Sequence, residues 1–394
     1  MSKDFVFTSR SVTGGHPDKL CDQISDALVG QFLRQDPMAM INAQCAVATG
    51  VLFIAVRFDS TATVDIQNIA RQIVREAGYD DDDFNARTCT IMTNIMETRG
   101  DRRTQKPGGS EEDIEGLVVS DQCMVFGFAC AHNATLMPHP IYLAHKLARR
   151  MEVVRREAIV PHLAPEAKAQ VGVEYRNRRP HRIYSINLIA SQKMARTPSL
   201  KELREDLMRN VIGAAFSNEE IRPDSATRID INAEGVFLKG GPAVHSGLTG
   251  RKSGDDTYGD YARHTGMALS GKDPTRIGRT GTYAARYAAK NVVAAGLADE
   301  CEVQLSYTSG LAGPISLQVE TFGTGRVSDQ EIVKRISENF DFRLGAIIRD
   351  FDLRTLPTKY EDGFYQRLAV YGHLGRGDMD LPWERIDRKD ALMS

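Results

Sequence analysis

Residues 20–79 contain LCDQISDALVGQFLRQDP (20–37), INAQCAVATGVLFIAVRF (41–58) and VDIQNIARQIVREAGY (64–79), and the hydrophobic pattern changes twice along them. In the first block Leu20, Ile24, Leu28 and Phe32 recur at helical spacing and Pro37 closes the run, which predicts a helix starting near residue 19. The second block predicts two strands around Thr49-Gly50. The third predicts another helix, stopped by Gly78. Helix, strand pair, helix is the unit that the fold multiplies.

The same order returns twice. The apolar run CMVFGFAC (123–130) leads to a helix over roughly His139–Arg155, strand-like stretches over about 171–191 and a helix over Ser199–Phe216. Further on come a helix near Tyr283–Leu297, strands at 301–307 and 315–322, and a helix at Ser328–Phe340. Helices thus start in pairs near 19 and 64, 139 and 199, and 283 and 328, with corresponding members about 120 to 145 residues apart. A period that long indicates three copies of one α+β unit rather than a solenoid. The expected division is 1–104, 115–236 and 237–394. Phe5–Thr8 alternates like a short strand, and residues 97–116 (ETRGDRRTQKPGGSEEDIEG) are expected to form a long mobile loop over an active site.

The 394 residues are 42% hydrophobic and 26% charged, an ordinary globular balance. A formal charge of -2 gives no reason to expect nucleic acid or an anionic membrane as partner. The N-terminus lacks the layout of a secretory signal and no apolar run approaches a membrane span, so a cytoplasmic protein is expected. Cys21, Cys45, Cys89, Cys123, Cys130 and Cys301 are scattered without a CxxC pair, which indicates buried thiols rather than zinc or disulfides.

Residues 237–279 (FLKGGPAVHSGLTGRKSGDDTYGDYARHTGMALSGKDPTRIGR) set glycines among Arg251, Lys252, Arg263, Lys272, Arg276 and Arg279. Close backbone approach beside fixed cations suits a polyphosphate. Gly266–Lys272 matches the first part of a P-loop, but Asp273 stands where that motif needs a hydroxyl, so the P-loop is rejected. A solvated, glycine-rich surface loop remains the alternative.

GGHPDKLCDQISDA (14–27), SGLTGRK (246–252), SGKDP (270–274), YAARYAAKNVVAAGLAD and YGH-GR (371–376) together closely resemble the S-adenosylmethionine synthetase family, in register from about Phe7 to Trp383. The resemblance implies three repeated α/β-sandwich-like domains around a pseudo-threefold axis, and homodimers or homotetramers with active sites at the subunit interface. It implies transfer of adenosyl from ATP to the thioether sulfur of methionine, with triphosphate cut to pyrophosphate and phosphate, using magnesium and commonly potassium.

Position by position, the resemblance gives His16 to the leaving oxygen, Lys19 of the same motif to substrate or ATP binding and Asp18 to magnesium. It gives Lys168, Arg251, Lys252, Lys272 and Arg276 to the triphosphate, Phe237 to adenine and Asp121 to the amino-acid substrate. Without the resemblance, His16 and Asp18 read equally well as helix-capping groups, Phe237 as a core residue and the cations as solvated side chains.

Five positions that are acidic in the family are not acidic here. Arg10 stands in the phosphate region, Gln44 at the potassium site, Arg57 opposite the methionine ammonium, His245 on the substrate side and Gly278 at a magnesium ligand. Ala48 replaces a lysine, Cys123 a glycine and Ser309 an isoleucine. A charge reversal opposite an ammonium swings the interaction by several kcal/mol in a dry site and on the order of 1 kcal/mol in water. Three readings stay open on sequence: ordinary S-adenosylmethionine synthesis, adenosyl transfer to another acceptor that complements Arg57 and His245, and a non-catalytic regulatory paralogue.

Overall fold

Strand β1 (Phe5–Val12) leads into helix α1 (Pro17–Gln35), which starts with Pro17 at its first position and the His16 imidazole accepting the Asp18 N–H at 3.2 Å. In this computed structural model, which describes residues 4–80, 82–98, 110–193, 197–361 and 363–393, Leu20, Ile24, Leu28 and Phe32 are fully buried. Strands β2 (Met40–Ala48) and β3 (Val51–Asp59) form the expected hairpin, with Thr49 and Gly50 both at positive φ as a two-residue turn requires. Helix α2 (Ile66–Ala77) is capped by Asp65 and stopped by Gly78 in the left-handed region. β4 (Thr90–Glu97) then runs parallel to β3.

The other two units repeat this plan. Helix α4 (His139–Arg156) follows the short α3 (Glu111–Gly116) and β5 (Cys123–Cys130), and precedes the long hairpin β6 (Leu163–Arg176) and β7 (Arg179–Gln192). α5 (Leu200–Leu207) runs through a π-helical stretch, Met208–Gly213, into α6 (Ala214–Phe216) before β8 (Arg228–Ile231), which is parallel to β7. After β9 (Gly247–Leu248) and α7 (Ser253–Asp256), α8 (Ile277–Ala294) precedes the hairpin β10 (Glu300–Tyr307) and β11 (Ser316–Glu320), then α9 (Asp329–Asn339). Each predicted helix pair is present, and the α+β class with threefold repetition stands.

The sheets are ordered β4-β3-β2-β9, β1-β6-β7-β8 and β11-β10-β5. Each takes one edge strand from another part of the chain: β1 joins the hairpin β6-β7, β5 joins β10-β11, and β9 joins β2-β3. The donations form a closed cycle, which ties the three units into one body. α1 packs on β2, α4 on β6 and β1, and α8 on β5 and β10. The opposite sheet faces are open, with Phe53, Met92 and Met96 exposed on the first, Ile189 on the second and Met124 on the third.

The differences from expectation are physical. β1 runs on to Val12 and the middle hairpin is longer than 171–191 because β1 and β6 pair along their whole length. α8 begins at Ile277, six residues before Tyr283, since its first turn is buried on all sides and shows no stripe. β4, β8 and β9 and the helical turns after residue 343 carried no periodic signal that the sequence reading used. Of the expected loop at 97–116, residues 99–109 lie outside the described residues, and Glu111–Gly116 form α3 with Ser110 as its cap. All six cysteines are buried and free of disulfides. No helix among the described residues is long and apolar enough to cross a membrane.

Candidate active site

The pairing of Val12 with Lys168 sets the end of β1 beside β6 just before the chain turns into α1. Thr13 fixes that turn by donating its N–H to the Ala167 carbonyl at 3.0 Å and its hydroxyl to the Pro165 carbonyl at 2.7 Å. Gly15 is obligatory there, because a Cβ would lie 2.3 Å from the Pro165 carbonyl oxygen. The result is a cavity of about 240 Å³ whose polar walls are Arg10, His16, Lys168, Gln170, Asn187 and Lys252. Three residues expected to act together, His16, Lys168 and Lys252, therefore do meet, and Arg10 meets them.

Behind these side chains stands Glu166, which is fully buried. Its Oε1 lies 3.1 Å from Lys168 Nζ and 3.8 Å from His16 Nε2, and its Oε2 accepts the Gly241 N–H at 2.5 Å. His245, on the exposed loop that follows, brings its Nε2 to 4.0 Å from the same Oε2. Phe237 is half-buried with its ring centroid 6.5 Å from that of His245. Sequence reasoning missed Glu166; its signal was a carboxylate two residues before Lys168 on one strand, hence on the same face.

Burial, reinforced by the Lys252 and Lys168 charges and opposed by Glu166 and Asp18, lowers the His16 pKa to about 4. The ring is neutral at pH 7. Because Nδ1 accepts the Asp18 N–H, the proton resides on Nε2. Asp18, also buried, accepts the Leu248 N–H on Oδ1 at 3.0 Å and pairs with the Lys252 ammonium through Oδ2. Lys19, expected at the substrate, is instead 1% exposed and held between Asp22, at 2.9 Å, and Asp256. Desolvation confines an ammonium to such partners and keeps it off the cavity wall. Arg251 is exposed in the turn after β9.

A second group lies elsewhere. Arg57 and Gln44 project from the open face of the β4-β3-β2-β9 sheet, where Gln44 donates to Asn42 Oδ1 at 3.2 Å. Lys272 bridges to Asn42 at the edge of that sheet, and burial lowers its pKa. Arg276, at the cap of α8, has Nη1 3.9 Å from Asp121 Oδ2. Cys123 Sγ lies 3.3 Å from Met267 Sδ, and that methionine occupies the space that a side chain at Gly278 would fill. Ser309 is exposed beyond β10. None of Arg57, Asp121, Lys272 or Arg276 lines the cavity of His16.

Magnesium prefers carboxylate oxygens and water. The cavity presents no carboxylate on its surface, both Asp18 oxygens are engaged, and no cluster of three His, Cys, Asp or Glu among the described residues is arranged to hold a metal. This donor set does not fit a magnesium ion held by the protein at this cavity.

Three family models match the chain in succession: the N-terminal domain of S-adenosylmethionine synthetase over residues 4–99, its central domain over 117–237 and its C-terminal domain over 239–385. The chain is 46% identical over 407 residues to the S-adenosylmethionine synthase of Gloeobacter violaceus, covering 98% of this chain and 97% of that one. It is 44% identical over 408 residues to the S-adenosylmethionine synthase of Trichormus variabilis, covering 100% and 97%. A third, from a Synechococcus species, is 45% identical over 402 residues, covering 98% and 97%.

Proposed function

The chain belongs to the S-adenosylmethionine synthetase family, and from that premise we propose that it transfers the adenosyl group of ATP to the sulfur of methionine. The methionine sulfur attacks C5′, the C5′–O bond breaks and triphosphate leaves with the electron pair, giving S-adenosylmethionine. Triphosphate is then cleaved to pyrophosphate and phosphate. The observation that carries this reading is a carboxylate-free, cationic cavity with a neutral histidine on its wall. His16 donates its Nε2–H to the leaving oxygen as charge develops there, while Lys168 and Lys252 stabilise the phosphate chain. Glu166 orients His16 and Lys168 from behind.

Lys272, Arg276, Asp121 and Arg57 stand apart from that cavity, on an open sheet face and its edge. We infer that the two groups meet across the interface of a homodimer, alone or paired as a homotetramer, with the exposed Phe53, Met92, Met96 and Met124 inside the contact. The division into units 1–104, 115–236 and 237–394 and a cytoplasmic location belong to this reading. So do Arg251 as a triphosphate contact and Phe237 at adenine. Magnesium would arrive bound to ATP and would supply charge neutralisation on the phosphates, and Gln44 stands where the resemblance implies a carboxylate for potassium.

Arg57 favours a second reading, in which the acceptor is a thioether that lacks the ammonium or carries an additional anionic group. One experiment separates the two: ATP, magnesium and methionine are supplied, and phosphate release and adenosyl products are followed by mass spectrometry. S-adenosylmethionine at a steady turnover supports methionine as acceptor. ATP binding without that product moves the assignment to another thioether, and no ATP binding overturns the proposal.

A further inference from the structure

We propose that Arg10 is a phosphate-binding residue of this cavity, and that with Lys168 and Lys252 it lets the chain hold a triphosphate with little help from a divalent cation. The inference rests on reading the cavity as the seat of the triphosphate. Arg10 lies on β1 opposite Gln170 of β6, two residues before Val12 and on the same open face, so the strand alternation aims it at the wall that Lys168 forms. It lines the cavity together with His16, Lys168 and Lys252.

The charges are distributed unevenly around that space. Three permanent cations reach its surface, while the nearby carboxylates, Glu166, Asp18 and Asp255, are buried behind them. Glu166 is held by Lys168 and Gly241, and Asp18 by Lys252 and Leu248. Arg10 is the least committed of the three cations: its Nε is 3.7 Å from Asp255 Oδ1, with 61% of the Arg10 side chain exposed. Burial pushes the Asp255 carboxyl up to about 6 against the charges of Lys19, Arg10 and Lys252, so Arg10 shares that carboxylate with two other cations. A guanidinium so placed turns onto a phosphate as a fork of two N–H donors, at the loss of one long ion pair. The cavity is smaller than the ~300–1,000 Å³ of pockets that enclose a whole drug-sized ligand, which suits one charged portion of a nucleotide. A cation built into the strand takes the place that a magnesium ion would need acids to hold.

The test is calorimetric titration of the full-length protein with inorganic triphosphate and, separately, with ATP, each in EDTA and in excess magnesium. The unmodified chain is expected to bind triphosphate in EDTA within about tenfold of its affinity in magnesium. R10A is expected to lose at least tenfold in EDTA but less than threefold in magnesium, R10E to lose more, and R10K to recover most of the EDTA affinity. An equal loss under both conditions, or none, overturns the role of Arg10. K168A and K252A keep the two ideas apart: if neither weakens triphosphate or ATP under either condition, the cavity is not the triphosphate seat and the reading beneath the proposal fails. Binding of ATP but not of triphosphate, with R10A unchanged, assigns recognition to the nucleoside and also overturns it. The exposed position of Arg10 makes misfolding of its variants a poor explanation, and thermal unfolding of each variant checks that.

Discussion

In the proposed mechanism His16 acts as a hydrogen-bond donor and not as a charge, and this has measurable consequences. Its burial holds the pKa near 4, so between pH 5 and 8 the ring keeps its Nε2 proton and the rate shows no inflection from it. An inflection near pH 6.5 that disappears in H16N refutes the neutral assignment. H16A and K168A are each expected to lower triphosphate release at least a hundredfold, because each removes charge stabilisation from the leaving group. Their unfolding midpoints should stay close to that of the unmodified chain. Glu166 acts only through its neighbours, so E166Q should lower turnover by about tenfold and shift the acid limb of the pH profile downward, since its charge raises the His16 pKa.

At the scale of elements, the segment that bears Lys272 and Arg276 is fixed by α1. Arg279 of α8 donates to both oxygens of Asp26 on α1, at 2.7 and 3.0 Å, and the Gly271 N–H donates to Asp26 at 2.8 Å. Asp273 accepts the Ile41 N–H at 2.9 Å, which pins the same segment to β2. The residue that disqualifies a P-loop is therefore structural, and its buried carboxylate never faces phosphate. Removing one partner of a buried pair leaves the other uncompensated, so D26A should cost about 3–5 kcal/mol in urea unfolding. A loss below 1 kcal/mol would show that the pair is not needed. What was legible in the sequence follows the same logic. Leu20, Ile24, Leu28 and Phe32 form an apolar stripe that was readable although α1 is buried on nearly all sides, because its other faces carry polar residues such as Asp18, Asp22 and Asp26. The Thr49-Gly50 turn was readable too. α8 buries all sides, so its start was misplaced. Gly127 needs to be glycine only because β5 lies against α8, where a Cβ would be 1.9 Å from the Ala285 carbonyl carbon; no local pattern announces that. β9 is two residues long and acquires meaning only by pairing with Ala46 and Val47. The contacts of Glu166 with His16 and Gly241 and of Lys19 with Asp256 were hidden for the same reason, since they are distant in sequence, whereas Lys168 two residues from Glu166 and Asp22 three residues from Lys19 are local neighbours.

At the scale of the whole molecule, burial of histidines sets the response to acid. His16 and His139 are held near 4, and His145 and His373 well below their ordinary value, in each case chiefly by desolvation. Their contribution to stability is complete above the unfolded pKa of about 6.5 and is lost as the pH falls toward the folded values, because only the unfolded chain takes up those protons. Asp255 and Asp256, raised by burial to about 6 and 7, bind protons in the folded state and offset part of that loss. Burial also lowers His162 and raises Asp26, so with five histidines against three carboxylates unfolding free energy should fall by a few kcal/mol between pH 7 and pH 5. A flat or rising profile in urea unfolding would contradict the balance. Assembly gives the sharper test of function. If each complete site joins the His16 cavity of one protomer to the Lys272 group of its partner, K168A and K272A disable different halves. Each variant alone is inactive, yet a mixture refolded together forms heterodimers in which one site holds both lesions and the other holds none. Random pairing then restores about a quarter of the unmodified activity, because half of the dimers carry one intact site of two. A mixture no more active than its components would place both groups in a site within one protomer, or separate Lys272 from the chemistry.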